Sequence, residues 1–398
     1  MSGLPGIVCI STNDWTGLPT SKQHLMSLLA ERTSVLYVDP PIDVFSVLGR
    51  RRRWPKLRGL RRTADGLWVL SPIVMNNSAS RRVELHRRTR ARAVSAARAI
   101  GLRRPVLWTF DPSHASYVGA FDERAAVYHI ADDPVSKSSD PSTVLARERR
   151  HIESVDLVFA VSAALAHERR WSGKVRRLPN AADARHFGRV LGWAPGSAPA
   201  DVLAAVRRVG ERPHDLPAEG RVVLFGGAAY EWFDEELFAA AARLLPDVAF
   251  VVVGPASPSA RAAGHPPNVR FLGRKPYDVY PRYVAAADCA VVPLKPGRVA
   301  EHCDAIVVYE YLLCGKPVAA TPFPAVLERG ELVRTGDDPG SFAAAIRAGL
   351  DEAGDDEAAL RRISFGLANT WEDRAEEAVQ AILSIPDDVS GPDRRGTR

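Results

Sequence analysis

The feature that most constrains this chain is an alternation, repeated twice, of short apolar runs with helix-length segments. In the first half the runs are "GIVCIS" (6–11), "SVLYVDP" (34–40), "GLWVLSP" (66–72), "PVLWTF" (105–110), "AAVYHIAD" (125–132) and "DLVFAVS" (156–162). They are nearly continuous in hydrophobicity, as strands covered on both faces must be. Helices are expected between them, over 20–31, 81–100, 112–120, 141–154 and 163–170. Strands separated by helices pair in parallel through right-handed crossovers. The pattern restarts at "RVVLFGG" (221–227) and continues through "VAFVVVGP" (248–255), "NVRFLG" (268–273), "CAVVPL" (289–294), "KPVAAT" (316–321) and "ELVRTG" (331–336).

The expected fold class is therefore α/β, with two Rossmann-like doubly wound domains facing across a cleft. The expected boundaries are 1–180 for the first domain and 221–370 for the second, with 181–220 as linker and excursion. A helix over 371–385 is expected to pack back on the first domain, followed by a disordered tail over 386–398.

A chain of 398 residues, 46% hydrophobic and 25% charged, has room for two such domains. No apolar run approaches the roughly 20 residues of a membrane span. The start "MSGLPGIVCIS" lacks the basic segment and long apolar run of a secretory signal, so a cytoplasmic location is expected. Cys9, Cys289, Cys303 and Cys314 show no metal-type spacing and read as small thiols, three of them in apolar surroundings.

The net charge of +6 is unevenly spread. Residues 50–62, "RRRRWPKLRGLRR", carry no acid, and 81–104 hold nine Arg and one acid. The first run interleaves Trp54, Leu57 and Leu60 with its charges, which suits an anionic membrane surface and a peripheral position on the inner face. Neither run matches a nucleic-acid module, so no nucleic-acid partner is expected.

Chemistry is expected where polar residues follow strands, because open parallel sheets bind ligands at their carboxyl edges. In the second domain Gly226 and Gly227 follow the first strand, where glycine lets backbone approach a phosphate. Lys295 and Arg298 follow "CAVVPL" as candidate phosphate cations. Glu310 lies on the next helix, where a carboxylate can accept both hydroxyls of a ribose diol. In the first domain the loop "STNDWTGLPTSKQH" offers Asn13, Asp14, Trp15 and His24. "TFDPSH" offers Asp111 and His114, and "VYHIADD" ends on Asp132 and Asp133.

These residues carry a resemblance. "VVYEYLLCGKPVAAT" is similar to the "LYEYLAAGKPVVAT" segment of GT-B glycosyltransferases, and the order of the flanking segments agrees over roughly 5–385. The opening loop and "AVYHIADD" resemble transferases of bacterial surface polysaccharide synthesis, of teichuronic-acid and xanthan glucuronosyl type. The resemblance implies a nucleotide-diphosphate sugar as co-substrate and no other cofactor. It implies that Glu310 binds ribose, Gly226 and Gly227 face the diphosphate or sugar, Gly273 and Arg274 lie beside the base, and Tyr309 shapes the pocket.

Two positions depart from the pattern: Val307 stands where a lysine is usual, and His302 where retaining family 4 enzymes carry a glutamate. Lys295 or Arg298 would then meet the diphosphate. No Asp-x-Asp pattern sits at a strand end, so no metal is expected. Asp132, Asp133 or Asp14 would act as base. Asn13, Trp15, His24, Asp111 and His114 would line a pocket for the acceptor, a lipid-linked or soluble glycan. A small natural product as acceptor, a sugar-nucleotide epimerase and a non-catalytic basic binding protein are the alternatives.

Overall fold

The computed structural model describes residues 3–43, 59–64, 66–74, 81–136, 138–208, 212–262 and 264–386. They divide into two units. The first spans 1–161, 165–178 and 374–398, and the second 162–164 and 179–373. Residues 50–58 of the first basic run, and the tail beyond 386, lie outside the described residues.

The strands in chain order are β1 (Ile7–Ile10), β2 (Val35–Val38), β3 (Ile42–Asp43), β4 (Leu60–Arg62), β5 (Trp68–Leu70), β6 (Ile73–Val74), β7 (Val106–Thr109), β8 (Ala125–Ile130), β9 (Leu157–Ala160) and β10 (Val175–Arg177) in the first unit. The second unit has β11 (Arg221–Gly226), β12 (Val248–Val253), β13 (Val269–Gly273), β14 (Cys289–Val292), β15 (Val318–Ala320) and β16 (Val333–Thr335).

The first sheet runs β10-β9-β8-β7-β1-β2-β5-β4. All its pairings are parallel except β4 with β5. β1, β2, β7, β8 and β9 are buried along their whole length, which is why they read as unbroken apolar runs. β4 was not expected as a strand. It is the end of the basic run, and Arg61 and Arg62 on this outer strand suit a position no further strand may join.

The second sheet runs β13-β12-β11-β14-β15-β16, all parallel, the order of a dinucleotide-binding sheet. Counting parallel strands only, the first sheet repeats that order with one strand more. In each unit the order reverses beside the first strand: between β1 and β7, and between β11 and β14.

Residues 184–191 and 199–207 form helices whose buried faces join the core of the second unit through Phe187, Leu191, Val202 and Val206. The helix Trp371–Leu383 follows Thr370, which donates from its backbone N–H to Asp373 at 3.0 Å. Its later part joins the first unit: Arg32 pairs with Glu376 at 2.5 Å and Arg124 donates to the Ile385 carbonyl at 3.0 Å. Among the described residues no helix is long and apolar enough to cross a membrane.

Candidate functional site

In the first unit the two loops beside the reversal point are the opening loop after β1 and "DPSH" after β7. This placement accounts for the polarity of the opening loop, most of which is spent on its own shape. The Tyr37 hydroxyl donates to the Asn13 carbonyl at 2.9 Å, and Ser11 and Tyr37 hydroxyls meet at 2.5 Å. The Trp15 N–H donates to the Asp39 carboxylate at 2.8 Å, and its ring stands edge-on to Tyr37 with centroids 5.0 Å apart. Gln23 closes the loop from the helix by donating to the Asp14 carbonyl at 3.0 Å, while Thr20 donates to Gln23 as a capping box. Asp14 keeps an exposed side chain and His24 a half-buried one.

Asp111 caps the turn Pro112–Tyr117 by accepting from the Ser113 N–H at 2.8 Å and its hydroxyl at 2.6 Å. Burial opposes ionisation there, but the Ser113 bonds and neighbouring His114 hold the carboxyl below its usual range. His114 is buried, and its desolvation pushes its pKa down to about 4, so the ring is neutral at neutral pH. Asp111 and His114 are thus neighbours, as the motif "DPSH" places them, but His114 is enclosed rather than open to a ligand.

Two polar side chains at this edge escaped the sequence reading. Lys22 is 4% exposed, with Nζ 5.2 Å from the Phe110 ring centroid. His129 is 1% exposed within Trp108, Phe110 and Phe159, and neither ring nitrogen has a hydrogen-bond partner among the described residues. Burial lowers its pKa to about 3. The signal was visible: His129 interrupts an otherwise apolar strand.

Asp132 and Asp133 part company. Asp132 is exposed. Asp133 is buried, 3.5 Å from the Arg169 guanidinium, which also grips Glu148 with two bonds of 3.1 and 3.0 Å. Asp133 therefore belongs to a buried ion cluster and is poorly placed as a base, the role given to either aspartate above. Replacing Arg169 with methionine leaves Glu148 and Asp133 buried without their cation. The expected loss is about 3 kcal/mol in urea denaturation, shrinking as acid protonates the two carboxylates.

In the second unit Gly226 and Gly227 end β11 beside the reversal point, but their N–H groups are already committed. Gly226 donates to the Tyr311 hydroxyl at 2.7 Å and Gly227 to the Val253 carbonyl at 2.9 Å. Glycine is needed here for packing. A Cβ at Gly226 would lie 2.7 Å from Cε2 of Tyr280. Gly254, at φ 152°, presses on the Gly227 backbone, and its N–H donates to the carbonyl of Gly273, itself at φ 70°. Arg274 beyond it is exposed.

Glu310 sits in the second turn of the helix Ile306–Leu313, one residue before the tyrosine that reaches Gly226. It is 4% exposed. Its surroundings are Asp183, Tyr277 and Tyr280, with no cation among the groups that shift it. Burial, then the Asp183 charge, push its pKa up to about 8 against the Tyr280 hydroxyl. Asp183 accepts from the Tyr277 hydroxyl at 3.2 Å, and Tyr277 stacks on His186 with centroids 4.1 Å apart. Asp183, Tyr277, Tyr280, His186 and Tyr311 were missed, because they come from separate segments that only the fold assembles.

Tyr309 points elsewhere. Its hydroxyl donates to Asp304 at 3.0 Å under the Arg329 guanidinium, and Asp304 accepts the Asn180 N–H at 2.7 Å. This cluster ties the helix to the "LPN" turn, so the tyrosine at the strand-end glycine is Tyr311. Lys295 pairs with Glu235 at 2.8 Å, so it is not the uncommitted phosphate cation expected. Arg298 opens a short helix, Arg298–His302, and its carbonyl accepts from His302 at 2.8 Å. Cys9, Cys289 and Cys314 are buried free thiols and Cys303 is half-buried. Among the described residues no group of three or more His, Cys, Asp or Glu could hold a metal ion.

Comparison with known proteins adds three kinds of likeness. Residues 220–352 match the model of the family "Glycosyl transferases group 1". Over 180 residues the chain is 27% identical to TuaH of Bacillus subtilis, a protein named for teichuronic acid biosynthesis as a glycosyltransferase; the match spans 43% of this chain and 45% of that protein. Anabaena HepE, solved with UDP and glucose, aligns over 95% of this chain and 99% of its own at TM-score 0.61 and 16% identity. The catalytic domain of starch synthase IV from Arabidopsis thaliana, bound to ADP and acarbose, aligns over 96% and 99% at 0.64 and 11%. A UDP-forming trehalose-phosphate synthase from Burkholderia vietnamiensis aligns over 97% and 98% at 0.63 and 14%. The chain has the GT-B fold, with a glycosyl transferases group 1 segment in its second unit.

Proposed function

We propose that this chain is a glycosyltransferase that moves a sugar from a nucleotide-diphosphate donor to an acceptor hydroxyl in surface polysaccharide or glycolipid assembly. The observation that carries this is Glu310: a buried carboxyl without a neighbouring cation, beside the strand-end glycine of a group 1 segment. Such a group is costly unless a ligand completes it, and a ribose diol offers two hydroxyl donors at the required spacing. HepE is bound to UDP and the starch synthase to ADP, which supports a nucleoside diphosphate here. The name of TuaH supports a polysaccharide role.

In the reaction the acceptor oxygen bonds to the anomeric carbon, the bond from that carbon to the donor phosphate oxygen breaks, and the diphosphate leaves. Arg298 meets the leaving charge. The acceptor proton passes to Asp132 or Asp14, the two exposed carboxylates at the first unit's strand ends.

A thermal-shift screen of nucleoside diphosphates and their sugars tests the reading. At about 100 times Kd a ligand specific for the folded state stabilises it by about 2.7 kcal/mol. Glu310→Ala should remove that response. Equal nucleotide affinity in the variant would remove Glu310 from the site, and no response from the parent protein would remove the donor.

A further inference from the structure

The second basic run of the sequence, residues 81–104, is not used by the donor site, yet part of it lines a cavity. The helix Arg81–Ala99 and the turn Pro112–Tyr117 enclose about 460 Å³ in the first unit. His86, Arg87 and Arg90 come from the helix, Arg147 from the helix Pro141–Ser154, and Pro112 and Ala115 from the turn. Because the turn follows β7, the cavity opens on the carboxyl edge, beside the sheet's reversal point. Three guanidiniums converge on it, and among the described residues no acid lines it. Asp111 stands nearby but is held by Ser113. Arg90 is itself fixed, donating to the Ser116 carbonyl at 2.7 Å. A second cavity, of about 610 Å³, lies at the opposite edge and includes Asp122 with its arginines, so the unopposed charge belongs to the first cavity.

Guanidinium groups bind phosphate through paired N–H donors, and their stems with Pro112 and Ala115 give apolar walls. We propose that this pocket binds the phosphate of a phosphorylated acceptor, a monoester or diphosphate whose carrier group lies on those walls. Its role as an acceptor site rests on the sugar-transfer reading above. Its ability to bind phosphate does not.

The test is a thermal-shift titration of the full chain with inorganic pyrophosphate, glucose 1-phosphate and octyl phosphate, at low and at high salt. Pyrophosphate is expected to stabilise the parent protein and Glu310→Ala alike, and less at high salt. In the double variant Arg87→Ala, Arg147→Ala the apparent affinity should fall about tenfold or more, as lost charged hydrogen bonds imply. The matching double lysine variant should retain part of it. Octyl phosphate binding more tightly than glucose 1-phosphate assigns a lipid carrier, and the reverse order assigns a sugar phosphate. The proposal is overturned if no phosphate stabilises the parent protein, or if the double alanine variant responds as the parent does. Loss of every nucleotide response with the phosphate response intact would sink the sugar-transfer reading and leave the anion site standing.

Discussion

Replacing Glu310 with glutamine should raise the melting temperature at pH 8 while weakening nucleotide binding roughly 10- to 100-fold. The sign follows from the carboxyl's environment. Its folded pKa, about 8, lies above the model value of 4.5, so the folded state holds a proton that the unfolded chain has lost. Native stability therefore falls as pH rises from about 4.5 to about 8, and levels off above. Glutamine has no proton to lose and nearly the same shape. At pH 8 the variant should be more stable by about 2 kcal/mol, or about 4–8 °C, and near pH 4 the two proteins should melt together. The same coupling predicts that nucleotide binding to the parent releases a proton between those pH values, because a diol prefers the ionised acceptor. Calorimetry in buffers of different ionisation heat reads that proton directly. A variant no more stable than the parent at pH 8 would show that Glu310 is not desolvated.

The other large effect is expected at Gly254. Alanine there must hold φ near 152° and place its Cβ against the Gly227 carbonyl, with the Gly227 carbonyl carbon 2.7 Å away. Both partners are backbone at adjoining strand ends, so neither can swing aside as a side chain would. A cost of about 4 kcal/mol or more is expected, read as a shifted urea midpoint or loss of folded protein. Gly354, with no atom within 4 Å of a notional Cβ, serves as control: alanine there should leave the midpoint within about 0.5 kcal/mol. A parent-like Gly254→Ala protein would mean that β11 and β12 do not meet at these glycines.

The fold was largely legible because its strands are buried on both faces. Runs such as "VLYV" and "VAFVVV" can be little else between helix-length segments, and their observed bounds fall within the expected ones. What was not legible depended on partners remote in sequence. β4 is a strand of mostly charged residues whose pairing with β5 no periodicity announces. The helix Ala184–Leu191, inside a stretch read as linker, becomes clear only when its Phe187 is seen in a core.

The site shows the same limit. The position of Glu310 could be read from the segment around it. The apposition of Asp183 and Tyr277, which gives that carboxyl its character, could not. Gly226 and Gly227 were rightly marked as special, for the wrong reason: they admit a tyrosine ring and a neighbouring strand end rather than offering their amides. Lys295 looked available in sequence because nothing there shows Glu235 facing it.

The contrast within the Asp132–Asp133 pair has a practical use. Arg169 holds one aspartate to the fold and leaves its neighbour to the solvent. A chemist can therefore silence the exposed member by Asp132→Asn without loosening the scaffold, giving an inert but well-folded protein in which donor and acceptor could be caught together before they react.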